Sequence, residues 1–114
     1  MQAHNTAMLY KFRSKAGADV IMMGPTGDQI LRLLGREPSA QGIVTQADLA
    51  AAIAALEQAV SDDEAAFAAA VAEAKTAEEP TPKRIGIQLR QRAWPLIELM
   101  RHAQRENEDL TWGV

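Results

Sequence analysis

The side chains that could do chemistry are concentrated in a few places. Gly24-Pro25-Thr26-Gly27-Asp28 puts two glycines and a threonine at a helix start, where free N–H groups and the helix dipole attract anions. Gly24, Thr26 and Gly27 are therefore the candidate anion-binding residues. A P-loop, however, carries lysine after its second glycine, and this chain has Asp28 there, a negative charge where a phosphate would sit. A KH-type GxxG clamp would be basic for the same reason. The expectation is a capped strand-to-helix turn in which Asp28 complements the dipole. Glu98 and His102 stand four apart on one helix, within reach for acid/base work or metal binding. Two ligands are too few for a metal site, and the other histidine, His4, lies in the polar N-terminal stretch. Ser14, Ser39 and Ser61 have no nucleophile-elbow context. No catalytic residue, metal ligand or cofactor is assigned. Met8, Met22, Met23 and Met100 could form an adaptable binding surface, but each falls in an apolar period, which points to core filling.

Charge is distributed more informatively. Asp62, Asp63, Glu64, Glu73, Glu78 and Glu79 make the third quarter acidic, whereas Lys83, Arg84, Arg90, Arg92, Arg101 and Arg105 make the last helix basic. At 100° per residue, Arg90, Trp94, Arg101 and Arg105 fall within about 60° of one another, so three guanidiniums and an indole share one stripe. One reading sets that stripe against the acidic helix of the same or another chain through exposed pairs. The other makes it a recognition face, since Arg and Trp are enriched at interface anchors. This interaction face, Arg90, Trp94, Arg101 and Arg105, is expected to contact mainly a neighbouring acidic helix.

The elements that must position these residues follow from periodicity. Met8 to Arg13 alternates and reads as a strand. Ser14 to Ala18 reads as a hairpin loop, and Val20 to Met23 as a continuous apolar run suited to a buried strand. Gly24-Pro25 breaks that strand, and Thr26 with Gln29 makes a capping box for a short helix that Gly35 ends. Gly42 to Val44 is too short to assign between strand and linker. Thr45 and Asp48 start an amphipathic helix along Leu49, Ile53, Leu56 and Val60. Ser61 and Glu64 form a further capping box while Phe67 and Val71 keep the register, so residues 46–76 could be one helix or two. From Ile85 to Asn107 the pattern is again helical, with Leu89, Ala93, Leu96, Met100 and Ala103 on one face. Pro95 should kink this helix near Trp94 or make it begin there. Leu110 to Val114 suits a closing strand on the hairpin.

The stretches MLYKFRSKAGADVIMMGPTGDQILRLLGREP and LRQRAWPLIELMRHAQ, with the closing DLTWG, resemble the uncharacterised bacterial family named domain of unknown function 1840. The likeness runs over nearly the whole chain from Met8 onward. It implies a small soluble bacterial protein, and it carries over no functional residue.

Composition bounds the rest. With 114 residues and 47% hydrophobic content, one core and one domain are expected over residues 8–114, and Met1–Ala7 reads as a disordered leader or an expression remnant. The chain has no cysteine, which excludes a disulfide framework, thiolate metal site or cysteine nucleophile. No apolar run approaches the ~20 residues of a membrane span and the N-terminus lacks the pattern of a secretory signal, so the cytoplasm is the expected location. A net charge of −3 argues against a surface built for nucleic acid. The expected architecture is α+β and helix-dominated, a small antiparallel sheet made by the N-terminal hairpin and the C-terminal strand, covered by two or three helices. The expected role is a non-enzymatic interaction or structural module that self-associates through its alanine-rich helix, with no protein partner identified. The alternative is a small-ligand or anion-binding protein, or an enzyme, using the Gly24 to Asp28 turn.

Overall fold

The structure, a computed structural model, describes residues 9–113. The Met1–Ala7 stretch, Met8 and Val114 lie outside the described residues. The chain runs β1 (Leu9–Ser14), β2 (Gly17–Met23), α1 (Gly24–Leu33), β3 (Gly42–Val44), α2 (Gln46–Thr76), α3 (Leu89–Glu106) and β4 (Leu110–Trp112). All strand pairs are antiparallel, in the order β2-β1-β4-β3, so the C-terminal strand pairs with the hairpin as expected and also carries β3. This is the helix-dominated α+β architecture read from the sequence.

One face of the sheet makes the core. Tyr10, Phe12, Met22, Val44, Leu110 and Trp112 point inward and are buried, with Phe12 stacked on Tyr10 at 5.9 Å and tilted 58° against Trp112 at 5.8 Å between ring centroids. Leu49, Ile53, Leu56 and Val60 of α2, and Leu89, Ala93, Leu96, Met100 and Ala103 of α3, pack into the same cluster. The predicted apolar stripes are thus the buried ones. Val20 to Met23 departs from expectation: β2 is an edge strand with helices on one side only, so Met22 turns inward while Ile21 and Met23 project to solvent. Core filling therefore holds for Met22 and Met100, not for Met23.

Helix boundaries show which local signals prevailed. Helix α1 begins at Gly24, with Met23 at the N-cap and Pro25 in the first turn, where its missing N–H costs nothing. Thr26 consequently lies inside the helix and caps nothing, which overturns the Thr26/Gln29 capping box. At the other end Gly35, at φ 86°, donates to Arg32 O while Arg36 N–H reaches Leu31 O, both at 2.9 Å, the bonding of a left-handed glycine stop. Residues 46–76 form one helix, so the Ser61/Glu64 signal is not a start; Glu64 is used elsewhere. The first free N–H of α2, on Gln46, is taken by Asp109 Oδ1 at 2.9 Å from the turn before β4. Helix α3 starts at Leu89, six residues before Pro95, with Gln91 Oε1 accepting from Gln88 N–H at 3.2 Å. Of the two expectations for Pro95, a kink near Trp94 or a start there, the start does not hold: Pro95 lies inside the helix on an exposed flank, and Gln91, whose carbonyl loses its donor, is exposed to water.

Candidate functional site

The antiparallel seam between α2 and α3 brings the basic stripe beside the acidic helix. Arg90 Nε and Nη2 each donate to a carboxylate oxygen of Glu64 at 2.7 Å, a fork-on-fork pair. These bonds from Arg90 hold the Glu64 carboxyl below the usual carboxylate range and push the Arg90 guanidinium higher still. Three turns further along α3, Arg101 bridges Glu57 of α2 and, at 2.9 Å, Glu98 of its own helix. Arg105 does not reach α2; its Nη2 donates to His102 Nδ1 at 2.8 Å. Trp94 stands between the two interhelical pairs, and the Arg101 guanidinium carbon lies 5.7 Å from its ring centroid. The indole remains 47% exposed.

Beneath that indole is a cleft of about 180 Å³ lined by Glu57, Val60, Arg90, Trp94 and Ile97. Its floor is aliphatic, its wall aromatic, and its charged rim is already paired within the chain. Such a slot can take an aliphatic or aromatic side chain, since the arginines and glutamates beside it need no further partner. Of the stripe proposed from the sequence, Arg90 and Trp94 line the slot, Arg101 lies beside it against Glu57 and the Trp94 ring, and Arg105 pairs with His102 instead.

The other candidate residues are placed differently. Gly27 is covered by the Tyr10 ring, since a Cβ there would lie 2.0 Å from Tyr10 Cδ2. Asp28, only 7% exposed, accepts a 2.5 Å hydrogen bond from the Tyr10 hydroxyl. Of the turn formed by Gly24, Thr26 and Gly27, the Tyr10 ring therefore packs on the Gly27 side. Burial, reinforced by the bond to Asp28, pushes the Tyr10 phenol up to about 12. Sequence reasoning missed this pair, although an inward-facing tyrosine in an alternating strand needs a partner for its hydroxyl. Glu98 and His102 do not pair with each other, because each is engaged by an arginine three residues on. Among the described residues no group of three potential metal ligands occurs.

A second concavity, of about 350 Å³, runs between β2 and α3 past Ala16, Val20, Pro95 and Leu99, with Glu98 and His102 on its rim. Nothing in the sequence pattern announced it, because it depends on α3 lying beside an edge strand.

No curated protein and no solved structure matches this chain. The family model described as domain of unknown function (DUF1840) matches residues 8–112, and the chain belongs to that family.

Proposed function

We propose that this domain is a non-enzymatic interaction module that anchors a protein partner on Trp94. The observation that carries this reading is the half-exposed indole held between two ion pairs that the molecule satisfies internally. A rigid aromatic beside an aliphatic slot offers contact area with little ordering left to do on binding, and tryptophan is the residue type most enriched at interface anchors. The paired arginines and glutamates form the rim, where charge contributes more to selectivity than to affinity. Self-association through the helices would have to use what α2 leaves partly open, Phe67 and Val71, because Leu49, Ile53, Leu56 and Val60 are buried within the chain. The setting we infer is the cytoplasm of a bacterial cell, in keeping with the cysteine-free sequence. Among the described residues no helix is long and apolar enough to cross a membrane.

Affinity capture from native lysate with the full chain and its Trp94→Ala variant, matched for circular dichroism and unfolding midpoint, tests the reading. A protein retained by the parent should be lost at least about tenfold from the variant, the effect of removing an anchor worth ~2 kcal/mol. Identical capture by both proteins would overturn the role of Trp94.

A further inference from the structure

The connection between α2 and α3 ends in an aliphatic tip. Ile85, 96% exposed, and Ile87, 62% exposed, flank Gly86, whose φ of 74° turns the chain sharply between them. Side chains this exposed add almost nothing to the core. The tip is nonetheless braced from both sides. Before it, Arg84 donates to Asp63 at 2.9 Å and lies 4.3 Å from the Phe67 ring centroid. After it, Arg92 Nε and Nη2 donate to the Ile87 carbonyl oxygen at 3.0 and 2.8 Å, and Nη1 donates to Gln29 of α1 at 3.1 Å. That guanidinium satisfies a main-chain acceptor which an apolar medium would otherwise leave without a donor.

The charge around the tip has one sign. Between Glu79 and Glu98 the chain has no acidic residue and four basic ones, Lys83, Arg84, Arg90 and Arg92. On the facing stretch of α2, Asp63 and Glu64 are held by Arg84 and Arg90, and Asp62 is bonded to Gln58. Lys83 and Arg92 pair with no carboxylate among the described residues. Glu78 and Glu79 follow the other end of α2, about 20 Å along the helix from Asp63 and beyond the ~8 Å over which exposed charges act in physiological salt. We propose that this tip docks on an anionic lipid bilayer, with Ile85 and Ile87 entering the interface and Lys83 and Arg92 among the headgroups. A convex tip needs no matching pocket in fluid lipid, and an apolar insertion with a basic flank combines the two signals that hold a protein at a bilayer surface.

The size of the tip sets the strength. Two isoleucines insert less apolar surface than a single myristoyl chain, whose partition is half complete near ~0.1 mM lipid, so docking should be reversible and half complete on the order of 1 mM. A surface contact of this kind needs no spanning helix. It does not involve Trp94, so it stands or falls separately from the reading of that residue.

Co-sedimentation of the full chain with vesicles of phosphatidylcholine, with and without about 30% phosphatidylglycerol, is the test. The anionic vesicles should bind at least about tenfold better than the neutral ones, and the difference should shrink as salt shortens the range of the charges. Replacing both isoleucines, Ile85→Ser with Ile87→Ser, should lower binding at least about fivefold while leaving the unfolding midpoint unchanged, because both side chains are exposed. Lys83→Gln should lower it about fivefold, the equivalent of the ~1 kcal/mol that one basic residue contributes near an anionic surface. Trp94→Ala should bind vesicles as the parent does. No binding to anionic vesicles, equal binding to neutral ones, or a serine variant that binds like the parent would each overturn the proposal. So would a serine variant that keeps vesicle binding but loses a protein captured by the parent, since the tip would then be a protein contact.

Discussion

Strands β1 and β2 carry large apolar side chains on both of their faces, and the two faces have opposite fates. Tyr10, Phe12 and Met22 lie under the helices and are buried; Leu9, Ile21 and Met23, on the same strands and of similar size, stand in solvent. The difference lies in what covers them. A strand's alternation decides which side chains share a face, but only the path of the helices decides which face becomes the interior.

The contrast can be broken most severely from the inner face. Phe12 touches both neighbouring rings, so Phe12→Ala should lower unfolding free energy by about 3 to 5 kcal/mol, a large part of the ~5 to 15 kcal/mol available to a domain. Urea titration reads this directly, and a midpoint shift as small as that of Leu9→Ala would show that the inner face is not the packed one. Tyr10 allows a gentler test by pH. Its phenol keeps the proton in the fold up to about 12, whereas the unfolded chain releases it near the ordinary value of 10. The stabilisation is therefore fully present below pH 10. Between 10 and 12 the unfolded chain binds fewer protons than the folded one, and stability should fall by roughly 1.4 kcal/mol per pH unit. Tyr10→Phe should remove that alkaline slope while costing about 1 to 3 kcal/mol at neutral pH, because Asp28 loses its donor in a buried site. An unchanged alkaline slope in the variant would assign the titration to another group.

The same contrast explains how much could be read from the chain. The buried stripe of α3, from Leu89 to Ala103, was legible because a helix covered on one side displays its period directly. Gly35 was legible because a left-handed stop favours glycine. What escaped was whatever required knowing a distant neighbour. Asp28 was read as a local complement to the helix dipole, but its partner is Tyr10, eighteen residues earlier on another element. Glu64 was read as part of a cap, but it is held by Arg90 across the helix seam. The start of α2 after Thr45 was legible, but the acceptor for its first N–H, on Gln46, is Asp109, 63 residues away, where no local motif could have pointed. For the candidate site, the sequence placed Arg90, Trp94 and Arg101 on one stripe from helical geometry alone. The slot beneath Trp94 needed Glu57 and Val60 from α2, and so needed the fold.

The smallest expected effect belongs to the outer face. Ile21→Lys changes an outward side chain whose nearest cross-strand partner is Lys11, so the folded monomer loses little burial and gains one unfavourable like-charge neighbour. By urea titration its unfolding free energy should match the parent's to within ~0.5 kcal/mol, as for most surface substitutions. If Ile21→Lys instead destabilises the chain by as much as an inner-face substitution does, the outer face is covered from within the same chain, and the distinction between the two faces fails.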